Sequence, residues 1–438
     1  MIERLRRNAE LTLLLMGAAI IGGAYALASL GTTASLPADI GPFLGLVLGL
    51  FAVAHLAIRK LAPGADGTLL PLAMLLNGIG YVFIARLRDD LAAQQSLWTA
   101  VGIAVFVATL VLVRRPRDLE RYRYMALFGA VGLILLPLVP VLGYSSGGAR
   151  IWIGLGPANF QPGEVAKLLL AVFFAAYLVE KRELLALASW PRRRPFLPDP
   201  KHLGPVLAAW GVAVVVITFE TDLGTALLFF TLFIVLLWVS TGRVGYLLVG
   251  FGLFFAAALV SWQAFGHVQN RVDSWLNPWA NPRGPGGYQI LQGNYALADG
   301  GIAGTGIGLG VGDVPAAEND FIFAIIGQEL GLLGSTAVLV AFLLLIGTGL
   351  RIATQTEGSF EKLLATGLTT LIGVQAFIIL AGVTRVLPLT GVALPFISYG
   401  GSSLLANYVL LALLVRLSDD ANQRRLRRAT RPTVEVGA

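Results

Sequence analysis

The chain has 438 residues, of which 56% are hydrophobic and only 13% are charged, about half the charged fraction of an ordinary soluble protein. This composition excludes a disordered chain and a soluble enzyme, and it indicates a protein with many membrane-spanning helices. The formal net charge of +7 is typical of the cytoplasmic excess of Lys and Arg in membrane proteins. The chain has no cysteine, which excludes disulfides and thiolate nucleophiles.

Twelve apolar runs predict an all-α polytopic membrane protein with about twelve transmembrane helices and both termini in the cytoplasm. In chain order the runs are 11–30, 41–58, 68–85, 97–113, 124–142, 165–180, 205–219, 223–240, 244–265, 320–350, 362–384 and 402–416. Ala26-Leu27-Ala28 resembles a signal-peptidase site, but we expect the first run to be a retained helix because it is long for a signal peptide.

The positive charges predict the orientation of these helices. With the N-terminus in the cytoplasm, 25 of the 32 basic residues fall in cytoplasmic segments. The other seven are held on the outer side against this bias: Arg86, Arg88, Arg150, Lys167, Arg271, Arg283 and Arg385. The longer outer segments are 143–164, 266–319 and 385–401, and we expect the chemistry where they converge. The Gly and Pro content of 266–319 predicts one long loop, with a flexible glycine-rich part at 304–312.

The first polar set lies between residues 147 and 167, beside the bilayer, where ionisable groups are costly and therefore functional candidates. Pro162 suits the first turn of a helix, and Glu164 and Lys167, three residues apart, share one face of it. Arg150 and Lys167 together can clamp an anionic group such as a pyrophosphate. The alternative is an internal Glu–Lys pair that only satisfies itself.

Two aspartates form the second and third sets. Asp222 precedes an apolar run, so it is either a helix N-cap or a functional carboxylate. Asp320 stands at the mouth of the long run 320–350, where desolvation raises the pKa of a carboxyl group and makes it a better base. A helix cap is again the alternative. Arg385 and Ser398 lie in the last outer segment among small residues, for most of which packing alone is the simpler interpretation.

The remaining features do not indicate a nucleic-acid partner. Trp275, Trp279 and Tyr288, among prolines, are typical of an interfacial aromatic patch rather than of a base-stacking platform. The basic stretches 192–194 and 424–428 are interpreted as cytoplasmic anchors to anionic membrane lipids. The three histidines are scattered and do not suggest a metal cluster.

At these polar sets the sequence resembles the SEDS family (shape, elongation, division and sporulation). The matching stretches follow the family order over roughly residues 77–416. They are Gly148-Ala149-Arg150-Ile151-Trp152-Ile153 with Gln161-Pro162 and Lys167, Asp222-Leu223-Gly224-Thr225, the region 271–310 with Gly287-Tyr288-Gln289, Asp320-Phe321-Ile322-Phe323, and Leu394-Pro395-Phe396-Ile397-Ser398-Tyr399-Gly400-Gly401.

The resemblance implies a core of ten helices. Residues 1–67 are then a two-helix N-terminal extension similar to that of actinobacterial members, 68–417 the core, and 418–438 a basic cytoplasmic tail. It also implies a peptidoglycan glycosyltransferase that polymerises lipid II at the outer face of the cytoplasmic membrane, with a class B penicillin-binding protein as its crosslinking partner. The extension and the short tail favour an elongation role. The alternatives are a division-type polymerase, a lipid II flippase and a scaffold that activates its partner.

The resemblance assigns the general base to Asp320, which would take the proton of an attacking sugar hydroxyl. Three cations are expected to meet the pyrophosphate of the substrate: Arg150, Lys167 and Arg385. The rest of the expected substrate-binding set is Trp152, Glu164, Asp222 and Ser398. A Mg²⁺ or Mn²⁺ ion shared with the pyrophosphate is the one cofactor considered, without assigned ligands, and no organic cofactor is expected.

Overall fold

The computed structural model describes residues 2–37, 40–140, 142–146, 149–155, 158–187, 207, 211, 222–310 and 314–429. Within this part of the chain, eleven helices are long and apolar enough to cross a membrane. They correspond to eleven of the twelve predicted runs. The twelfth run, 205–219, lies outside the described residues apart from Leu207 and Gly211.

The helices and strands are numbered here in chain order. The helices before the sheet are α1 (Ile2–Thr33), α2 (Ile40–Leu61), α3 (Leu69–Leu87), α4 (Asp89–Leu112) and α5 (Arg123–Leu135). Short 3₁₀ turns, Pro116–Tyr122 and Leu136–Leu138, extend α5 at both ends to a span of Pro116–Leu138. The later helices are α6 (Pro162–Leu187), α7 (Leu223–Thr241), α8 (Val244–Ala264), α9 (Gly266–Leu276), α10 (Pro285–Gly300), α11 (Ile322–Gln355), α12 (Ser359–Val383) and α13 (Gly401–Ala429).

A small antiparallel sheet, which the helical periodicity did not predict, occupies the segment between α5 and α6. Its strands are β1 (Gly143–Ser146), β2 (Ala149–Leu155) and β3 (Ala158–Phe160), with β2 in the centre. Tyr144 lies opposite Trp152, and Ile153 lies opposite Phe160. The β-branched and aromatic residues of β2 suit a strand, so this part of the chain is extended although the rest is helical.

The segment 266–319, predicted as one long loop between two membrane helices, contains no candidate membrane span among its described residues, and it folds in part into the short helices α9 and α10. Pro285 begins α10, a position where its missing N–H costs nothing. Ile290 and Leu291 on α10 are buried, and the ring of Phe321 lies against Gly293. Glycine and proline therefore mark the turns between two packed helices rather than one continuous loop.

Two ends of the helix bundle can be distinguished by their contacts. At one end, called the site end here, Arg88 between α3 and α4 lies 3.8 Å from the Glu318 carboxylate. At the opposite end, called the arginine end, the buried Arg416 of α13 donates hydrogen bonds to backbone carbonyls at the ends of α2 and α4, those of Leu61, Leu110 and Val113. Helix α13 continues to Ala429, past the predicted boundary at 417, and Ser418 and Asp419 are buried.

Helix α11 is broken at Gly331, whose φ of 66° and ψ of −164° are not helical. The preceding loop, 301–306, replaces the helical hydrogen bonds that the break removes. Its amides donate to the carbonyls of Gln328 and Glu329, and its carbonyls accept from the amides of Leu332 and Leu333. The part of the long predicted run before Gly331 is thus a separate short helix that packs against this loop.

A buried ion pair fixes the same loop to α3. An Nη atom of Arg86 lies 2.8 Å from a carboxylate oxygen of Glu329, and Arg86 also donates to the carbonyl of Gly310 at 2.9 Å. The other Glu329 oxygen accepts from the amide of Gly308 at 2.8 Å. Arg86, one of the seven outer cations, therefore neutralises a buried carboxylate and orders the glycine-rich loop.

We expect Gly331→Ala to lower the free energy of unfolding by about 3 kcal/mol or more. A Cβ at this position would lie 2.3 Å from the amide nitrogen of Gly304, and the backbone conformation is strained for any L residue. Gly347→Ala is the matched control, because Gly347 is helical, belongs to the same helix and has open space around it. Its effect should stay within about 1 kcal/mol. Thermal unfolding in detergent measures both, and equal stabilities would contradict the role of the break.

Candidate functional site

Asp320 lies in a turn just before α11, at the site end, and is only partly buried. The N-cap position of α11 is occupied by Phe321, and no side chain caps the helix there. Among the residues that the structure describes, none forms a hydrogen bond or ion pair with the Asp320 carboxylate. The helix-cap alternative is therefore not observed, and this carboxylate is available to another molecule.

The backbone around Asp320 is held from two sides. Ser398 donates through its hydroxyl to the carbonyl of Asn319 at 2.7 Å, and the amide of Tyr399 donates to the carbonyl of Glu318 at 2.9 Å. On the other side, the fully buried ring of Phe321 packs against α10. These contacts fix the position of the carboxylate although nothing described here bonds to it directly.

The surroundings of Asp320 bring the pKa of its carboxyl group close to neutral pH. Burial raises the pKa of Asp320 to about 6, while the positive charge of Arg271 acts in the opposite direction. The nearby charges of Asp222 and Glu318 raise this pKa further. A carboxylate in this range is a better proton acceptor than an ordinary aspartate and is still ionised at pH 7.

Asp222 caps α7 close by, which is one of the two roles that the sequence left open. Its carboxylate accepts from the amide of Thr225 at 3.0 Å and from the Thr225 hydroxyl at 2.6 Å. Burial raises the pKa of Asp222, and Arg271 opposes that shift. The charge of Arg271 therefore acts on both aspartates. Its guanidinium is fixed in place by a hydrogen bond that it donates to the carbonyl of Thr390 at 3.1 Å.

The three polar sets meet at residues 385–402, called the crossover segment here. Gly391, whose φ of 77° favours glycine, lies beside the Asp320 carboxylate, since a Cβ built there would be 3.9 Å from one of its oxygens, an ordinary contact distance. Gly224 of α7 packs against Thr390 and Val392 of the same segment. Segments 143–164 and 266–319 both contact the crossover segment, since the Gln161 amide donates to the Ser402 hydroxyl and Arg385 donates to the carbonyl of Trp275, while the outer placement of these segments stays a prediction.

Lys167 lies in the interior of the bundle and is only 1% exposed. Its ammonium group contacts the Glu164 carboxylate at 2.5 Å and donates to the side-chain oxygen of Gln375 at 2.8 Å. Gln375 in turn donates to the carbonyl of Ala393 in the crossover segment. The self-satisfying Glu–Lys pair is therefore present, and it is linked to the segment that surrounds Asp320.

The other predicted residues have structural neighbours. The Arg385 guanidinium donates to the carbonyl of Trp275 and lies 5.2 Å above the ring of Trp279. In return, the indole N–H of Trp275 donates to the carbonyl of Arg385. Arg150 of β2 donates to the carbonyl of Pro137 at 3.1 Å, and Trp152 lies on the same strand. In the described residues Arg150 and Lys167 share no partner, and their clamp stays a prediction.

Sequence reasoning did not assign three residues that build this site. Gln375 gave a usable signal, because it is an isolated amide in the apolar run 362–384. Arg271 was noted as an outer cation without a role. Thr390 gave no signal, since its contribution is a backbone carbonyl that any residue provides.

The donor groups of the described residues do not form a metal cage. No group of three or more His, Asp or Glu side chains in this part of the chain is arranged to hold an ion. Both oxygens of Asp222 are used in capping, so Asp320 is the carboxylate of the site that remains available. Such a site can provide one ligand to an ion that a phosphate-bearing substrate also holds.

Comparison with known proteins gives one family. A family model named for FtsW, RodA and SpoVE, described as cell cycle protein, matches residues 69–423. The peptidoglycan glycosyltransferase RodA of Mycobacterium tuberculosis is 46% identical, with 98% of this chain and 93% of the relative covered. The protein of the same name from Mycobacterium leprae is 44% identical over 95% of this chain and 91% of the relative.

Solved structures agree with these relatives. A chain from a structure titled "Structural coordination of polymerization and crosslinking by a peptidoglycan synthase complex" matches with a TM-score of 0.66 and 27% identity, covering 82% of this chain and 98% of that chain. The rod shape determining protein RodA of Thermus thermophilus matches with a TM-score of 0.58 and 27% identity, covering 81% of this chain and 97% of that one.

Proposed function

This chain belongs to the cell cycle protein family of FtsW, RodA and SpoVE, and from that premise we propose that it is a peptidoglycan glycosyltransferase that polymerises lipid II during cell-wall elongation. The observation that carries the proposal is the Asp320 carboxylate, fixed in place, without a bonding partner among the described residues, and with a pKa raised to about 6. An unpaired, partly desolvated carboxylate is what a general base requires.

In this reaction a sugar hydroxyl attacks an anomeric carbon, and a polyprenyl pyrophosphate leaves. Asp320 accepts the proton of the hydroxyl as the new glycosidic bond forms and the bond to the pyrophosphate breaks. Cations stabilise the charge that develops on the leaving group. Arg150, Lys167 and Arg385 keep this predicted role, and Arg271 joins them because its charge already acts at Asp320.

The remaining predicted residues support the same site. Ser398 holds the backbone beside Asp320, Asp222 caps the adjacent α7, and Glu164 neutralises Lys167. Trp152 lies on the sheet next to Arg150, where an aromatic face can contact a sugar ring. A Mg²⁺ or Mn²⁺ ion shared with the pyrophosphate stays part of the proposal without assigned protein ligands, and it would supply charge neutralisation on the leaving group when bound.

The setting of the reaction is also part of the proposal. Since the site end carries few cations and the arginine end many, we place the site end at the outer face of the cytoplasmic membrane. The similar solved chain comes from a structure whose title names polymerisation and crosslinking, which supports a class B penicillin-binding protein as partner. Lipid II and the growing glycan strand are the proposed substrates.

A reconstitution assay separates this function from lipid transport. The purified chain with its co-purified partner is given fluorescent lipid II, with a β-lactam to block crosslinking and moenomycin to block contaminating glycosyltransferases. We expect glycan ladders on a gel. In parallel, proteoliposomes report translocation through quenching of the labelled lipid. Translocation without glycan product would replace the polymerase proposal by a flippase, and neither activity would favour a scaffold.

We expect the polymerisation rate to depend on pH through Asp320. The base works only when ionised, and its pKa is raised to about 6, so activity should be half-maximal near pH 6. It should fall about tenfold for each pH unit below that value. The measurement is kcat/KM for lipid II between pH 4.5 and 8, with protein stability checked at each pH. A rate that stays constant down to pH 4.5 in folded protein would contradict the assignment.

A further inference from the structure

A charged cleft opens at the arginine end, between the turn that joins α4 to α5 and the last turns of α13. It has a volume of about 420 Å³. Five arginines line it: Arg114, Arg115, Arg117, Arg424 and Arg427. Helix α4 has 24 residues, so about 36 Å separate this cleft from the Asp320 site at the other end of the same helix. The catalytic proposal makes no use of these arginines.

The walls of the cleft are held in place before any ligand binds. The buried Arg416 ties α13 to the carbonyl of Val113 at 2.9 Å, just before the first cleft arginine. The loop after α2 joins the same corner, since the amide of Gly64 donates to Asp419 at 2.7 Å and Asn422 donates to the carbonyl of Gly64 at 2.9 Å. The cleft is therefore a preformed feature of the bundle.

The acidic residues of the cleft do not neutralise all of its arginines. Asp419 is occupied by Gly64 and Arg416, and Asp420 pairs with Arg424 at 2.7 Å. The three arginines of the α4–α5 turn, 114, 115 and 117, are exposed, and their side chains have no hydrogen bond or ion pair with any residue the structure describes. Asp118 offsets only one of these charges. Guanidinium groups of this kind bind phosphate oxygens in a bidentate manner.

The surface beside the cleft indicates where such a phosphate comes from. Leu112, Met125 and Phe128, on the two flanking membrane helices, are 80%, 70% and 73% exposed. They are apolar side chains on the two membrane helices that the arginine-bearing turn joins, so this turn lies where those helices leave the apolar part of a bilayer and meet the lipid headgroups. We propose that this cleft binds the phosphate groups of an anionic membrane phospholipid.

Native mass spectrometry of the full-length chain in detergent tests this proposal. The probes are cardiolipin, which carries two phosphates, phosphatidylcholine, which has no net charge, and inorganic pyrophosphate. We expect cardiolipin adducts that phosphatidylcholine does not displace. In Arg115→Gln/Arg117→Gln the apparent affinity for cardiolipin should fall roughly 30-fold. The charge-retaining pair Arg115→Lys/Arg117→Lys should lose much less, and thermal unfolding checks that each variant is folded.

The matched control is Arg182→Gln/Arg351→Gln, which removes the same charge from two exposed arginines that neither line the cleft nor belong to the basic stretch 424–428. Unchanged cardiolipin binding in this control, with loss in the cleft variant, supports a defined site. An equal loss in both variants would mean binding to general surface charge and would overturn the proposal. Displacement of cardiolipin by micromolar pyrophosphate would overturn it as well, because the ligand would then be a free phosphate compound.

Discussion

Replacement of Asp320 by asparagine is expected to lower the rate of lipid II polymerisation roughly 10²- to 10⁴-fold. The amide has the shape of the carboxyl group but cannot accept the proton of the attacking hydroxyl. The backbone contacts that hold Asp320 involve Ser398 and Tyr399 and do not depend on its side chain. The measurement is kcat/KM with the co-purified partner present, under the same β-lactam and moenomycin conditions as for the wild type.

The stability of this variant makes the result unambiguous. Burial raises the pKa of Asp320, so the ionised carboxylate destabilises the folded state above pH 6, and this penalty disappears below the ordinary pKa of an aspartate. Asp320→Asn should therefore unfold at the same or a higher temperature than the wild type at pH 7.5. Lost activity in a protein of undiminished stability can only reflect chemistry or substrate binding.

Asp273→Asn is the matched control for this experiment. Asp273 is an exposed acid on α9, two residues from Arg271, and the proposed mechanism gives it no part. Its rate should stay within about twofold of the wild type, as expected for a surface substitution. If Asp320→Asn kept more than a tenth of the wild-type rate, the base would have to be another group.

The sequence predicted the membrane helices well because an apolar run long enough to cross a bilayer has few other stable conformations. The eleven described spans all correspond to predicted runs. The segment 266–319 could not be predicted in the same way. Its helices α9 and α10 depend on packing against neighbours such as Phe321, and the composition of the segment alone does not reveal which residues these neighbours are.

The residue types of the candidate site could be predicted from the sequence, but the hydrogen bonds and ion pairs between them could not. A carboxylate at the mouth of an apolar helix pointed to Asp320, and a pair three residues apart pointed to Glu164 and Lys167. Whether an aspartate caps a helix is decided by backbone geometry, and here Asp222 caps while Asp320 does not. The partner of Lys167, Gln375, lies 208 residues away along the chain, beyond the reach of any spacing argument.

The same pair allows the second large effect to be predicted. Lys167→Met leaves the Glu164 carboxylate in a buried position without its counter-charge and removes the donor to Gln375. Breaking a buried ion pair by removing one partner typically costs about 3–5 kcal/mol, so we expect a loss of that size in the free energy of unfolding. Thermal and denaturant unfolding in detergent measure it, with Lys181→Met as the matched control, because Lys181 is a half-exposed lysine later in α6 that pairs with Glu180.

The double variant Lys167→Met/Glu164→Gln separates folding from substrate binding. Because it removes both charges, most of the lost stability should return. If stability stayed low in the double variant, the pairing would not explain the cost of the single change. The polymerisation rate of this stable double variant then tests whether Lys167 also binds the pyrophosphate of the substrate. Activity that remains at least 100-fold below the wild type, in protein of restored stability, is the result expected if the ammonium group also meets the pyrophosphate. Full recovery of activity would limit Lys167 to positioning the crossover segment through Gln375.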